Sequence, residues 1–175
     1  MVIVMNLQEK QDLITAKIKE CLVVYGLQDI DLVIDFMPLG STGGLAYFLE
    51  NIYNTRYFIV FNSVMIDQSF ELFHPSIPIH ECAHIIQVCI APEAKQAHGP
   101  EWRAIVRRLG SEPTTYHELP IEGLGRSKSR IMKVRYQCGC SKYSLSITEH
   151  NKIRSGKKSK YCETCRFPAY AVDYI

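Results

Sequence analysis

The pentapeptide from residue 80 to residue 84 restricts what this chain can fold into more than any other feature. It reads His-Glu-Cys-Ala-His, with its histidines at the first and last positions. Side chains four residues apart on a helix lie on the same face, one turn above the other. Two imidazoles placed in this way can bind one zinc ion without distorting the backbone. The spacing therefore predicts a helix on which His80 and His84 are metal ligands.

Glu81, one of the three residues between these ligands, suggests what the metal would do. Glu81 follows the first histidine directly, so its carboxylate lies beside the predicted metal. Zinc lowers the pKa of a bound water from about 15.7 to about 7, and a neighbouring carboxylate can accept its proton. Ser76 and Pro78 mark the start of the helix. Apolar residues at helical spacing predict that one face is buried: Ile79, Ala83, Ile86 and Ile90. We interpret the helix as part of a zinc hydrolase that cleaves peptide bonds, with Glu81 as its base.

A catalytic zinc site usually has three protein ligands and one open position, so a third ligand is expected. The metzincin pattern would need a histidine at position 90, where this chain has isoleucine. His98 is favoured, because Pro100 marks the start of another helix and leaves His98 on a loop that can fold over the metal. Glu93 and Glu101 are the alternatives, since glutamate is the third ligand in some zinc enzymes.

A second metal site is indicated by two close pairs of cysteines near the end of the chain. The pairs are Cys138 with Cys140 and Cys162 with Cys165. Four thiolates in two pairs are typical of a zinc ribbon, in which a closed tetrahedral site has a structural role. A module of about 40 residues rarely folds from its hydrophobic core alone, which strengthens this interpretation. His150 is an alternative ligand, but it is expected instead to pack or form a hydrogen bond inside the ribbon.

Composition limits the class of protein. At 175 residues and 47% hydrophobic content, the chain can bury the core of a main domain with a small appendage. It has no apolar run of the roughly 18 residues that a membrane span needs, and its start lacks the basic residues of a signal peptide. We therefore predict no membrane association and a reducing cytoplasmic location, in which the seven cysteines are metal ligands or thiols. Cys21, Cys82 and Cys89 are predicted to be core residues.

Charge is divided unevenly along the chain. Residues 1–125 contain 8 Lys and Arg against 15 Asp and Glu, whereas residues 126–175 contain 12 against 3. A basic block of this kind suggests a polyanionic partner, and tyrosines interleaved with the cations can stack on unpaired bases. No base-reading motif is visible, so we expect nucleic acid to be bound without sequence preference. The weaker alternative is that the lysines only keep a small module soluble. The predicted contacts are Arg126, Lys128, Arg130, Lys152, Arg154, Lys157, Lys158 and Lys160.

Periodicity predicts a mixed α+β fold. A helix is expected over residues 6–25, strands over 31–37, 45–50 and 56–61, and a short helix over 62–70. Residues 110–130 contain two prolines, three glycines and few apolar residues, which is typical of a connector. His117 falls in this connector, and we interpret it as a surface residue, with a catalytic role as the less favoured alternative.

These motifs, in this order, resemble the SprT family of metallopeptidases, which includes the DNA–protein crosslink protease Spartan. The resemblance rests on His80-Glu81-Cys82-Ala83-His84, on His98-Gly99-Pro100-Glu101-Trp102 and on the cysteine ribbon. It implies a minimal zincin-like metalloprotease domain over residues 1–125, followed by a small β-rich zinc ribbon over 126–175. It also implies that His80, His84 and His98 bind a catalytic zinc, that Glu81 is the base and that the four cysteines bind a structural zinc.

The resemblance further implies an association with DNA, because Spartan-like members degrade proteins trapped on DNA. The predicted protein is a monomer, associated with the nucleoid when it binds DNA, and its substrates are proteins bound or crosslinked to DNA. Two alternatives remain open. One is a zinc-ribbon adaptor that binds nucleic acid and has a weak or vestigial protease site. The other is a peptidase that never meets DNA.

Overall fold

The computed structural model describes residues 5–50, 55–125, 133–154 and 156–174, with the backbone alone at 147, 154, 173 and 174. Helices are mixed with two small sheets, so the chain has the predicted α+β class. The chain separates into two compact units, one of Met1–Phe48 with Arg56–Ser127 and the other of Leu49–Thr55 with Lys128–Ile175. The elements are α1 (Leu7–Val24), β1 (Leu32–Met37), β2 (Gly44–Glu50), β3 (Thr55–Asn62), α2 (Ser63–Phe73), α3 (Ile77–Ile90), α4 (Pro100–Arg108), β4 (Lys133–Gln137), β5 (Lys142–Ser146), α5 (Ile147–Arg154) and β6 (Tyr170–Tyr174).

The first helix begins at a reciprocal cap. The Asn6 side chain accepts a hydrogen bond from the Glu9 amide at 3.0 Å, and the Glu9 carboxylate accepts one from the Asn6 amide at 2.7 Å. This capping box satisfies two amides that the helix itself cannot pair. The helix predicted over residues 6–25 is therefore confirmed, and its inner face supplies Ile14, Ile18, Cys21 and Leu22 to the core.

The first sheet has the order β1-β3-β2, with β1 and β3 parallel. The central strand carries the most deeply buried residues, and Phe61 packs on Phe36 with ring centroids 5.9 Å apart. The strand β2 lies beside β3 at one side of this sheet and begins at Gly44. The start of β2 is the part of the sheet that reaches the site described below.

Asn62 joins this sheet to α2 and also holds the loop before β2. Its side chain is fully buried, and its amide donates hydrogen bonds to the carbonyls of Gly40 and Thr42 at 2.7 and 2.9 Å. Its oxygen accepts a hydrogen bond from the Val64 amide at 3.2 Å, which caps the helix. One side chain thus satisfies a helix start and fixes the chain that leads to Gly44.

The helix α3 lies in the middle of the core, packed between α1 and α4. The predicted apolar face is buried over most of its length, as at Ile79, Ala83 and Ile86. Ile90 was expected on this face but is 50% exposed. It is the last residue of the helix, where the backbone leaves helical geometry at Ala91 and turns away from the core. Ser76 occupies the predicted cap position, although its side chain makes no capping hydrogen bond.

The second unit contains an antiparallel sheet of order β5-β4-β6 and the short helix α5. Val134 and Tyr136 on the central strand are buried, and the Tyr136 hydroxyl lies 2.9 Å from Nδ1 of His150. His150 therefore forms the internal hydrogen bond that the sequence predicted. Across the described parts of both units, no helix combines the length and the apolar character needed to span a bilayer.

Candidate metal centres and active site

Three imidazoles meet beside α3. Nε2 of His80 lies 3.3 Å from Nε2 of His84 and 3.2 Å from Nε2 of His98. Nitrogen atoms that bind one zinc in tetrahedral geometry, at zinc–nitrogen distances of about 2.0–2.1 Å, are about 3.3–3.4 Å apart. The arrangement therefore fits a zinc ion with three histidine ligands.

The two glutamates that were alternatives for the third ligand do not join this group. Among the described residues, the donor atoms that converge here come from His80, His84 and His98. Glu93 and Glu101 instead line a separate shallow depression around Pro100. The geometry thus favours His98 over either carboxylate.

The imidazoles are positioned by contacts that the helix alone does not provide. Nδ1 of His80 lies 3.2 Å from the Thr114 carbonyl, which accepts a hydrogen bond from Nδ1–H. The proton therefore stays on Nδ1, and the Nε2 lone pair is directed at the other two histidines. The Trp102 ring is fully buried beneath all three imidazoles, at centroid distances of 4.8, 5.6 and 4.6 Å. Packing against Trp102 restricts the orientation of the three imidazole rings.

The loop that carries His98 is tied back to the end of α3. The amide of the buried Gln87 donates a hydrogen bond to the Gln96 carbonyl at 3.0 Å. On the other side, Arg103 Nε donates a hydrogen bond to the His98 carbonyl at 3.2 Å. Both contacts restrict the backbone around His98 and hold its imidazole close to the helix.

Burial keeps the imidazoles neutral, which is the form that binds metal. Desolvation, followed by the neighbouring His80 and His98, lowers the pKa of His84 to about 3. Desolvation also lowers the pKa of His80 to about 4, and the neighbouring His98 and His117 lower it further. The hydrogen bond to Thr114 acts in the opposite direction but is a smaller effect than desolvation. The pKa of His98 is lowered by desolvation and by Arg103. All three lone pairs are consequently available at neutral pH.

Glu81 is 7% exposed and lies against the first residues of β2. Desolvation raises the pKa of its carboxyl group to about 8, and a hydrogen bond from the Ala46 backbone opposes this rise. A cation held by the neighbouring imidazoles would lower this pKa. A group whose pKa lies near neutrality can both accept and return a proton.

Gly44 makes the position of Glu81 possible, and its replacement is a sensitive test of the site. A Cβ at residue 44 would lie 2.6 Å from Cγ of Glu81, closer than two non-bonded carbon atoms can approach. We expect Gly44→Ala to destabilise the protein by about 1–3 kcal/mol, because overpacking displaces neighbouring groups. If Glu81 is the base, the same variant should lose roughly 10²-fold in kcat, since a displacement of about 1 Å has that effect.

A double-mutant cycle with Glu81→Ala provides the control. Removing the Glu81 side chain removes the clash, so Gly44→Ala should be far less destabilising in that background. Thermal unfolding of the four proteins measures the difference. Equal destabilisation in both backgrounds would show that Gly44 acts through something other than Glu81.

A cavity of about 420 Å³ opens beside His80 and Glu81. One wall is formed by Gly43, at the end of the loop before β2, and by Gly44, the first residue of that strand. Another wall is the segment from Thr114 to His117. The sequence interpretation of His117 as a surface residue was wrong. It is half-buried and lines this cavity, because the connector after α4 folds back across α3 instead of running over the surface. Its neighbour Tyr116 is 87% exposed, so no local pattern marked His117.

The four ribbon cysteines form the second group of donor atoms. The sulfur of Cys140 lies 3.6 Å from that of Cys138 and 3.5 Å from that of Cys162, and all four sulfurs, including that of Cys165, lie within 4.8 Å of one another. Zinc–sulfur distances of about 2.3 Å place the sulfurs of a tetrahedral site about 3.8 Å apart. None of the cysteines forms a disulfide. The group therefore fits a structural zinc ion.

Ser141 supports this second group in a way that the sequence did not indicate. Its hydroxyl lies 3.3 Å from the Cys138 sulfur and 3.4 Å from the Cys162 sulfur. The hydrogen bond from Ser141, followed by the backbone amides of Cys165 and Thr164, lowers the pKa of Cys162 to about 5. The thiolate is the form that binds metal, so these donors favour the site.

The predicted DNA contacts are only partly described. Arg126, Lys128 and Arg130 lie outside the described residues, and Arg154 is described by its backbone alone. Lys152 and Lys157 are exposed on α5 and the turn after it. Lys158 forms an ion pair with Glu149 at 3.2 Å, and Lys160 lies over the Tyr143 ring at 5.2 Å. The exposed rings of the same unit belong to Tyr161, Phe167 and Tyr170.

The comparisons with known proteins show the family of this chain. Two histidines on α3 that converge with a third on the following loop, together with the later group of four cysteines, give this chain two candidate metal sites. The model of the SprT-like family matches residues 20–122, and the chain belongs to this family. It is similar to Protein SprT of Glaesserella parasuis serovar 5, with 27% identity over 76% of this chain and 78% of that protein. It is also similar to Protein SprT of Actinobacillus succinogenes, at 29% identity over 76% and 72%. The match to Protein SprT of Vibrio atlanticus, at 25% identity, extends over 93% of each chain.

Proposed function

We propose that this chain is a zinc-dependent metallopeptidase of the SprT type that acts on proteins bound or crosslinked to DNA. The observation that carries the proposal is the convergence of three imidazole nitrogens beside a buried glutamate at the wall of a cavity. In this proposal the first unit is a minimal zincin-like peptidase domain. Its ligands are His80, His84 and His98, and its base is Glu81.

The chain's own groups divide the work of amide hydrolysis. When bound, zinc supplies a Lewis acid that activates a water and polarises the scissile carbonyl. The three neutral imidazoles hold the ion, and the Thr114 carbonyl fixes the tautomer of His80. Glu81 accepts the proton from the attacking water and returns it to the leaving amine. His80 and Glu81 both line the cavity, so a substrate held there would lie beside the metal-binding group and the proton acceptor.

The association with DNA is proposed for the second unit. Residues 126–175 contain 12 cationic against 3 acidic residues, and three aromatic rings of this unit are more than half exposed. Cations neutralise phosphates, and exposed rings stack on unpaired bases without reading sequence. We propose that single-stranded DNA binds here and brings crosslinked proteins to the peptidase domain.

Cleavage of a protein conjugated to a single-stranded oligonucleotide tests the proposal. We expect the wild-type enzyme to fragment the conjugated substrate faster than it fragments the same substrate protein without an oligonucleotide. Glu81→Gln should bind zinc and the oligonucleotide as the wild type does but leave the conjugate intact, because glutamine cannot accept the proton. Fragments on a denaturing gel and zinc content by elemental analysis are the measurements.

Charge reversal separates the DNA role from the peptidase role. Lys157→Glu with Lys158→Glu should weaken oligonucleotide binding and reduce the salt dependence of log K by about 0.7 per lost phosphate contact. Lys19→Glu with Lys95→Glu changes the net charge equally in the first unit and should have a smaller effect. Cleavage of the free protein but no response to DNA would identify a peptidase that never meets DNA. Oligonucleotide binding with no cleavage in any assay would identify an adaptor with a vestigial site.

A further inference from the structure

His117 is a titratable side chain at the cavity that the proposed reaction has not yet used. Its ring lines the cavity together with His80 and Glu81, on the segment that follows α4. It lies close enough to His80 to contribute to the lowering of that residue's pKa. Across the cavity wall, a Cβ at residue 43 would lie 3.2 Å from Cδ2 of His117, so the ring packs directly on the Gly43 backbone.

The surroundings of the two ring nitrogens of His117 indicate which of them carries the proton. Nδ1 is buried and has no hydrogen-bond partner within the described part of the chain. A buried N–H without a partner is rarer and costlier than an unpaired acceptor. The neutral tautomer with its proton on Nε2 is therefore favoured, and Nε2–H is the donor that the ring can offer to a molecule in the cavity.

We propose that Nε2–H of His117 donates a hydrogen bond to the oxyanion that forms when the scissile carbonyl is attacked. The inference rests on the proposed peptidase function. As the water oxygen bonds to the carbonyl carbon, the π electron pair moves onto the carbonyl oxygen and Glu81 takes the proton of the water. The pair returns when the carbon–nitrogen bond breaks, and Glu81 gives the proton to the leaving amine. A donor aimed at the oxyanion binds it more strongly than the ground-state carbonyl, so it raises kcat.

His117 does not belong to the group of imidazoles whose nitrogens could bind one ion. His80, His84 and His98 already supply three nitrogens with tetrahedral spacing, and His117 is not part of that group. A catalytic zinc with three protein ligands keeps its remaining position for water or substrate. His117 therefore acts on the substrate, and its loss should leave zinc content unchanged.

His117→Phe tests the proposal because phenylalanine keeps the ring that packs on Gly43 but has no donor. On a peptide that the wild type cleaves, we expect kcat to fall roughly 10²–10³-fold with little change in KM. Affinity for the same peptide with a phosphinate in place of the scissile amide should fall in step with kcat/KM, because the phosphinate imitates the tetrahedral anion. His117→Gln retains an N–H and should lose less. Glu118→Gln, an exposed neighbour outside the cavity, is the matched control.

The outcomes separate this inference from the proposed function. A wild-type kcat in His117→Phe, with the phosphinate still bound tightly, would overturn the role of His117 and leave the peptidase intact. A wild type that cleaves no protein or peptide would overturn both. If His117→Phe fails to fold, His117→Gln and His117→Met decide, since they are similar in size and only glutamine has a donor. Equal kcat values in that pair would also overturn the proposal.

Discussion

Replacing His98 with alanine is expected to remove one of the two zinc ions and to abolish peptide hydrolysis. Two imidazoles remain on α3 in this variant, but a catalytic zinc site ordinarily requires three protein ligands. Nε2 of His98 lies 3.2 Å from Nε2 of His80. Among the described residues, the donor atoms that converge here come from the three histidines alone, so no further side chain is in place to replace His98. Elemental analysis after dialysis against a weak chelator measures the loss, and hydrolysis of the free protein substrate measures its consequence.

Glu101→Gln is the matched control for this variant. Glu101 lies three residues beyond His98 and was an alternative ligand, but it is exposed on the first turn of α4. We expect the glutamine variant to retain both zinc ions. Loss of zinc from Glu101→Gln together with its retention in His98→Ala would assign the third ligand to the carboxylate.

Cys162→Ser is expected to release the second zinc ion and to unfold the ribbon. The apparent binding free energy of structural zinc is about 10–16 kcal/mol in zinc-finger peptides at neutral pH, and it contributes directly to folding. The ribbon has few other sources of stability, because Val134, Tyr136, His150 and two of the cysteines are its buried side chains among those described. Cys162 is itself 3% exposed, so serine would also leave a polar group at a buried position.

The measurements for this variant are zinc content and the amide resonances of the ribbon. We expect one zinc ion per chain, collapse of the resonance dispersion from residues after 133 and loss of oligonucleotide binding. Cys89→Ser is the control, since Cys89 is a free thiol on α3 outside both donor groups. Full zinc content in Cys162→Ser would mean that the cysteine group is not a metal site.

Features that depend on short spacings could be predicted from the sequence. The spacing of His80 and His84 places them on one helix face, and the two cysteine pairs are close because few residues separate their members. The capping box at Asn6 and the bounds of the first helix follow from local rules of the same kind. The α+β class was recognisable because helical and alternating patterns occupy separate segments.

Features that depend on distant contacts were not predictable from a single sequence. The sequence favoured His98 over Glu93 and Glu101 but could not decide the question, because the choice depends on how the loop folds. The hydrogen bond from Gln87 to Gln96 restricts that loop. The same holds for the Thr114 carbonyl that fixes the tautomer of His80.

By itself, the sequence determined the chemical types of the metal-binding groups, because ligand identity and helical spacing are local properties of the chain. The tertiary structure decided what surrounds them. Gly44 leaves room for the Glu81 carboxylate, and the connector after α4 brings His117 to the cavity. Both contacts join segments that are remote in sequence, and they arise only from packing α3 against a sheet strand and a returning loop. Periodicity carries no information about such contacts, since it describes which face of an element is buried and not what covers it.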